Sequence, residues 1–123
     1  MQSRDNCIRL IEYETSRATK IKRRFFGSKC QNQMVQCTLS PDGSYLVSGS
    51  ENGVPYIWDT EDEDLQDSTI YECNFDDLMA DCDWNPKYNM FAFSGFGQEF
   101  PILIYAFVRS EAEINALAIN YNF

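Results

Sequence analysis

The sequence contains no histidine, so it lacks the side chain that enzymes most often use as a general base. A serine or cysteine nucleophile would have no imidazole to activate it, and no glycine-rich phosphate loop precedes a helix. The sequence therefore predicts a protein that is not an enzyme and that carries no cofactor and no bound metal.

The cysteines contain no CxxC pair, and their number is odd, so neither a closed disulfide framework nor a zinc ribbon is expected. They are Cys7, Cys30, Cys37, Cys73 and Cys82. The first residues offer no apolar stretch of signal-peptide length, and no later run approaches the length of a membrane span. We expect a reducing, cytoplasmic location.

Basic residues are scarce after position 29. Residues 1–29 carry eight Lys or Arg against three acids, whereas residues 30–123 carry two against sixteen, within a net charge of -9. An acidic surface repels phosphate backbones, so nucleic acid is not an expected partner. Hydrophobic residues at 44% and aromatic residues at 15% favour a packed globular protein over a disordered one.

The strongest internal signal is a repeat of about 45 residues, a period typical of propellers and solenoids. The segment MVQCTLSP, which begins at Met34, recurs as MADCDWNP from Met79, and further matches follow at spacings of 46 and 47 residues. This drift predicts that one or two residues were added in loops. Ser3 and Ile11 lie 47 residues before Ser50 and Trp58 and match them in the repeat. This indicates that the chain begins partway through an earlier unit.

Each unit has the pattern of short strands separated by turns. We predict strands at 34–40, 45–49, 54–58 and 69–75, joined by Pro41-Asp42-Gly43, by Asn52-Gly53 and by an acidic loop at 59–67. Four antiparallel strands per repeat is the arrangement of a propeller blade. At the end, Ser110 and Glu113 form a capping box, so residues 110–121 predict a short amphipathic helix that docks on its own domain or on a partner.

The stretch SPDGSYLVSGSENGVPYIWD resembles the WD40 repeat, with Trp58-Asp59 as its terminal dipeptide. The resemblance implies an all-β fold, a partial WD40-type propeller of about two and a half four-stranded antiparallel blades with a short C-terminal helix. The units are 1–29 (strands c and d of an incomplete blade), 30–75 (a complete blade), 76–107 (strands a to c of the final blade) and 108–123 (the helical tail). The implied blade-structural residues are Asp5, Pro41, Asp42, Gly43, Asn52, Gly53, Trp58, Asp59, Trp84 and Pro86.

The absence of histidine is a departure from this family, because the Asp-His-Ser/Thr-Trp hydrogen-bond network of many WD40 blades cannot form. Within the family, FSGFGQEFPILIYAF resembles the last blade of a group of ciliary WD40 scaffolds, and SEAEINALA resembles the helical stretch that follows it. This resemblance implies a scaffold in a multiprotein complex at the basal body and transition zone. It also implies that further blades are needed to close the ring.

In propellers of this family, the exposed top face is formed by the starts of the inner strands and by the turns between the second and third strands. On that geometry, the candidate partner-contacting residues are Arg4, Gln36, Glu51 and Asp81. Ordinary surface polarity is the alternative for each of them. Most aromatic residues are expected to pack within or between blades, since aromatics suit half-buried pleated surfaces.

A basic run, Lys20, Lys22, Arg23 and Arg24, raises the alternative of membrane or phosphoinositide contact. Its order matches known phosphoinositide motifs poorly, and an outer strand protected from edge pairing by its charges is the favoured interpretation. The acidic loop from Asp59 lacks the ligand order of an EF-hand and is interpreted as solvated.

Three functional hypotheses therefore stand: a ciliary scaffold, another WD40 adaptor such as a ubiquitin-ligase substrate receptor, and an acidic metal-dependent hydrolase that uses Asp81 and Asp83.

Overall fold

The computed structural model describes residues 1–13, 20–62, 69–70, 78–96 and 102–106, with residues 69–70 described by their backbone alone. These residues form ten β-strands and contain no helix. The strands are β1 (Gln2–Ser3), β2 (Cys7–Glu12), β3 (Lys20–Phe26), β4 (Cys37–Leu39), β5 (Tyr45–Ser48), β6 (Tyr56–Asp59), β7 (Thr69–Ile70), β8 (Met79–Trp84), β9 (Met90–Gly95) and β10 (Ile102–Ala106).

The strands form three antiparallel sheets in which sequence neighbours pair: β1-β2-β3, β4-β5-β6-β7 and β8-β9-β10. Each sheet is a simple meander, and the sheets follow one another along the chain as blades. The predicted fold class is confirmed as all-β and a partial WD40-type propeller. The two copies of the repeat motif begin equivalent strands, β4 and β8, each the first strand of its blade.

Local sequence explains the hairpins. Strands β5 and β6 consist largely of aromatic and β-branched or aliphatic residues, which favour extended, pleated backbone. The β4–β5 turn holds Gly43 at a φ of 77°, and Asn6 and Gly53 take φ values of 59° and 74° in the turns that precede β2 and β6. Glycine and asparagine adopt this left-handed region most readily, so the turns form where such residues occur.

Strand pairing locates the residues that distinguish the second and third blades. Leu46 pairs with Trp58 in one blade and Phe91 pairs with Tyr105 in the next, so the β9–β10 hairpin is two residues longer between equivalent pairs than the β5–β6 hairpin. The β4–β5 and β8–β9 hairpins have equal length. The innermost pairs of the two hairpins, Ser48–Tyr56 and Ser94–Ile102, enclose equal numbers of residues, so the added residues lengthen the paired strands β9 and β10.

The first strand of the second blade is shorter than predicted. The sequence indicated strand at 34–40, but β4 begins at Cys37 and Met34 is 58% exposed, whereas Met79 at the matching position is 0% exposed. The Gln36 N–H donates to the Ala80 carbonyl of the neighbouring blade, at 2.9 Å. Residues 34–36 thus bond partly across to the next blade and lie outside the ladder with β5.

The incomplete first blade contains more than the predicted strands c and d, because β1 supplies the end of a strand b. The sequence did not predict β1, because this strand has only two residues before the β1–β2 turn. Residues 71–75 of the predicted outer strand and the predicted helix at 110–121 lie outside the described residues, as does most of the acidic loop.

The core lies between the blades. Between the first and second sheets, Trp58 is buried, its ring centroid is 6.0 Å from that of Phe25, and its Nε1–H donates to the Phe26 carbonyl at 3.1 Å. Ile8, Leu46 and Tyr56 complete this cluster. Burying such side chains contributes about 2 kcal/mol each, so blade stacking supplies much of the folding free energy.

A second apolar cluster joins the second and third sheets. It consists of Val47, Ile57, Met79, Cys82 and Phe93, with Trp84, Phe91, Leu103 and Tyr105 packed against it. A third, smaller cluster of Cys30, Val35 and Leu78 joins the loops that enter these two blades. Each blade therefore depends on its neighbour for burial of at least one face.

Gly49 marks the closest approach of the second and third blades. A Cβ built on this residue would overlap the Met79 carbonyl oxygen and lie 3.2 Å from Met79 Cγ. The obstacle is backbone, which cannot move aside as a flexible side chain can. Glycine at this position therefore allows the start of β8 to reach the end of β5.

We expect Gly49→Ala to lower the free energy of unfolding by about 3 kcal/mol, as overpacking does. Gly43→Ala is the matched control, because nothing lies within 4 Å of the Cβ that the substitution would add and only the left-handed φ is strained; it should cost about 1 kcal/mol. Urea titration followed by circular dichroism measures both. Equal midpoints for the two variants would contradict the close approach at Gly49.

The outward faces of the first and third sheets expose apolar side chains. Ile102 and Ile104 are 61% and 46% exposed on the third, and Ile21 and Phe26 are exposed on the first. Because these faces lack a neighbouring blade within the described residues, we expect the 123-residue chain alone to melt in a broad, weakly cooperative transition. Calorimetry tests this, and a sharp transition would argue against the open faces.

Candidate protein-interaction surface

The top face, as the structure shows it, is formed by the β1–β2 turn (3–6), the β5–β6 turn (50–53), the loop 29–36 and the start of β8. The loop and the turns are tied together by backbone hydrogen bonds. The Lys29 N–H donates to Ser50 Oγ at 2.8 Å, and the Glu51 N–H donates back to the Lys29 carbonyl at 3.0 Å. The Ser50 carbonyl accepts the Met79 N–H of the next blade at 3.0 Å.

Glu51 closes the loop at residues 31–33. Its Oε1 accepts backbone N–H groups from Gln31, Asn32 and Gln33 at 2.8, 2.6 and 2.7 Å. These donors, led by Gln33, hold the pKa of Glu51 below its ordinary value. Three consecutive amides around one oxygen form an anion-binding concavity, and the protein's own carboxylate fills it.

The β1–β2 turn is organised in a similar way. Asp5 accepts hydrogen bonds from the Ser3 hydroxyl, at 2.7 Å, and forms a salt bridge with Arg9. The Arg9 and Ser3 donors hold the pKa of Asp5 well below its usual range. Asn6 Oδ1 accepts the Cys30 N–H at 2.7 Å, so this turn also anchors the loop of the following blade.

All four predicted top-face residues lie on this surface, but they differ in exposure. Arg4, Gln36 and Asp81 are exposed, and the Gln36 N–H donates to the Ala80 carbonyl, so Gln36, just before β4, lies close to Asp81 of β8. Asp81 Oδ1 also accepts its neighbour's N–H, from Cys82, at 2.9 Å. Glu51 is half-buried, and its carboxylate is occupied by the loop. Partner contact by these residues remains a prediction.

The residues predicted to be structural occupy turns and blade contacts. Asp42 Oδ1 accepts the Ser40 hydroxyl and the Ser44 N–H, which lower the pKa of Asp42 to about 2. Asn52 Oδ1 accepts the Val54 N–H. Gly43 and Gly53 have positive φ, and Asp59 accepts the Glu61 N–H. Trp58 lies between blades and Trp84 ends β8. Pro41 and Pro86 lie in the first turns of their blades.

Sequence reasoning missed Ser50 as a central residue of the top face. It is fully buried and bonds to the loop, to its own turn and to the next blade. Serine in a polar turn is common, and its backbone partners are far away in sequence, so no local pattern could have marked it. The three-amide arrangement around Glu51 was missed for the same reason.

The basic run on β3 does not act as one unit. Arg23 donates to the carbonyl oxygens of Asp59 and Asp62, and its guanidinium lies 4.9 Å from the Phe25 ring centroid. Arg23 therefore joins the first blade to the second. Lys20, Lys22 and Arg24 are exposed on this outer strand.

Catalytic and metal chemistry find no support among the residues that the structure describes. Burial raises the pKa of the Cys82 thiol to about 12, so this thiol is protonated and a poor nucleophile. In the described ranges, no three His, Cys, Asp or Glu side chains group closely enough to hold a metal ion. The same residues contain no helix long and apolar enough to span a bilayer.

Meander sheets stacked through their apolar faces, with a turn-built polar top face, form a partial β-propeller that is consistent with WD40-type blades. Among known proteins, the chain is similar to jouberin from Rattus norvegicus, with 32% identity over 118 residues that cover 93% of this chain and 11% of jouberin. Jouberin from Mus musculus is 31% identical over the same length. The chain thus spans about 11% of the length of these relatives.

Two further relatives match shorter stretches. Protein Atg16l2 from Mus musculus is 38% identical over 66 residues, which cover 54% of the chain and 10% of that protein. WD40 repeat-containing protein smu1 from Dictyostelium discoideum is 31% identical over 71 residues, which cover 58% of the chain and 13% of that protein. No family model matches the chain.

Glu51 provides a direct test of the top face. We expect Glu51→Ala to speed amide hydrogen exchange at Gln31, Asn32 and Gln33, because their N–H groups lose their acceptor. Glu51→Gln, which retains an oxygen, is the control and should change exchange less. Because the pKa of Glu51 is lowered, the effect depends on pH. The three amides should be fully protected above the ordinary pKa of 4.5, and their protection should be lost as the pH falls through the folded-state pKa of Glu51.

Proposed function

We propose that this chain is a non-catalytic protein-interaction scaffold that acts, like jouberin, in a multiprotein complex at the ciliary base and supports cilium assembly. Similarity to jouberin over 93% of the chain is the observation that carries this proposal. The match runs through all three blades, whereas the match to Atg16l2 covers 54% of the chain. The cytoplasmic side of the basal body and transition zone is the proposed location.

The geometry supports a scaffold because hydrogen bonds within the chain hold the loop and the turns of the top face together. Its loop and turns are held by backbone bonds and by the Glu51 carboxylate, so exposed side chains are presented on a preorganised surface. Preorganisation lowers the entropy lost on association. Arg4, Gln36 and Asp81 are the side chains proposed to contact the partner.

The open faces of the first and third sheets belong to the same proposal. Their exposed apolar residues are those that a neighbouring blade would cover, as the second blade covers Ile8 of the first and Phe93 of the third. We assign these faces to the remaining blades of a closed ring. Those blades are thus partners of the chain in addition to other proteins of the complex.

A second candidate function is that of a general WD40 adaptor, such as the substrate receptor of a ubiquitin ligase. The matches to Atg16l2 and smu1 favour it, since they show that the blade pattern is shared beyond jouberin. Co-purification of ligase subunits with the tagged protein would support this function, and their absence together with ciliary localisation would support the first.

Localisation in a ciliated cell tests the ciliary proposal. We expect the tagged full-length product to concentrate at the ciliary base, and the triple variant Arg4→Glu, Gln36→Glu, Asp81→Lys to lose this concentration at an unchanged expression level.

The matched control is Lys20→Glu, Lys22→Glu, Arg24→Glu, which alters three exposed residues of the outer strand. Loss of localisation in this variant alone would instead support membrane or phosphoinositide contact through the basic strand. A diffuse distribution of the unaltered protein would contradict the ciliary proposal outright.

A further inference from the structure

A cleft of about 580 Å³ lies between the second and third blades on the bottom face, the end opposite the top face, where the first turns of the blades lie. Its aromatic wall consists of Tyr45, Trp84, Tyr88 and Phe91. The Tyr45 and Trp84 rings are nearly parallel, with an interplanar angle of 9° and centroids 6.4 Å apart. The volume lies within the range of sites that hold a small ligand or a peptide side chain.

The second blade contributes one acidic side chain to the cleft and carries another on the same face. Asp42 lines it, and Asp59 pairs with Tyr45 across strands β5 and β6, so its side chain emerges on the same face of that blade. The Thr60 N–H and hydroxyl donate to the carbonyls of Ser44 and Gly43, which holds this segment against the Asp42 turn. Lys87 on the third blade is the cation that lines the cleft.

The corresponding gap one blade earlier differs in character. It measures about 290 Å³, and Leu39 and Leu46 stand at the ladder positions that Trp84 and Phe91 occupy in the third blade. Equivalent places in the repeat therefore hold aliphatic side chains in one gap and aromatic ones in the next.

We propose that this cleft binds a basic peptide segment, whose arginine or lysine side chain inserts between the Tyr45, Trp84 and Tyr88 rings with the Asp42 carboxylate as its counter-ion. Aromatic faces carry negative electrostatic potential and attract cations. The lowered pKa of Asp42 keeps its carboxylate charged at neutral pH. The chain's net charge of -9 steers a basic partner toward it.

An unsatisfied donor favours a peptide over a small free cation. Trp84 Nε1 is buried and has no hydrogen-bond partner in the described part of the chain. Buried donors are normally paired, so this N–H marks a place for an acceptor. A peptide carbonyl supplies one, whereas an amine or guanidinium ion carries no acceptor.

The two tryptophans allow a direct test by NMR. The 123-residue chain is titrated with a short capped peptide carrying one central arginine between glycine and serine residues. We expect the Trp84 indole N–H resonance to shift and the Trp58 resonance to stay in place, because Trp58 donates to Phe26 in a different blade gap. Calorimetric titration then gives the affinity for the same peptide and its decrease with added salt.

Matched peptides separate the contributions. A peptide with citrulline, the neutral isostere of arginine, should bind about tenfold more weakly. A peptide with glutamate should not bind, and free argininamide should bind more weakly than the arginine peptide because it lacks the flanking carbonyls. Equal binding of arginine and citrulline peptides, preference for a neutral proline-rich peptide, or no shift of Trp84 would overturn the proposal.

Variants locate the site. Trp84→Leu introduces the residue that the second blade has at the matching position. Asp42→Asn keeps an acceptor for the turn but removes the charge. Each variant should weaken binding of the arginine peptide about fivefold or more. Glu12→Gln, the same loss of one charge on the first blade, is the control and should leave binding unchanged. If a variant does not fold, the comparison of arginine with citrulline on the unaltered chain still decides, because it needs no substitution.

Discussion

Burial of apolar side chains between neighbouring blades is the interaction on which the rest of this structure depends. Trp58 shows it most clearly: the residue belongs to the second blade, but its ring and its N–H meet Phe25 and Phe26 of the first. A meander of three or four strands has two faces and cannot bury them both alone. Each blade is therefore stable through its neighbours, which is why exposed isoleucines on the outermost faces point to further blades in the proposed assembly.

The top face follows from the same stacking. The Ser50 carbonyl and the Gln36 N–H bond across to the third blade, so the turn and the loop take their positions when the blades pack. The Glu51 carboxylate then completes the loop at residues 31–33. A surface held by bonds within the chain suits a scaffold, because preorganised groups lose less entropy on binding. Chemistry beyond binding has no support in the described residues.

Differences between the repeats carry more functional information than their likeness. The paired strands of the β9–β10 hairpin are longer than those of its counterpart, and Trp84 and Phe91 replace Leu39 and Leu46 in the ladder. These changes leave the blade architecture intact, since the hairpins keep their pairing. They alter only what the surfaces between and beside the strands present, and the aromatic cleft on the bottom face is the clearest result.

The sequence by itself determined the repeat, the all-β class and the turns, because alternating strands and turn residues such as Gly43 are local patterns with local causes. It placed Arg4, Gln36 and Asp81 on an exposed surface through the same periodicity. Only the tertiary structure decided that β4 starts at Cys37, that Glu51 serves the loop, and that Ser50 and Gly49 control blade contact. Those outcomes rest on backbone groups that meet across many residues of sequence, and a backbone N–H or carbonyl is the same in nearly every residue type, so no side-chain pattern records where its partner lies.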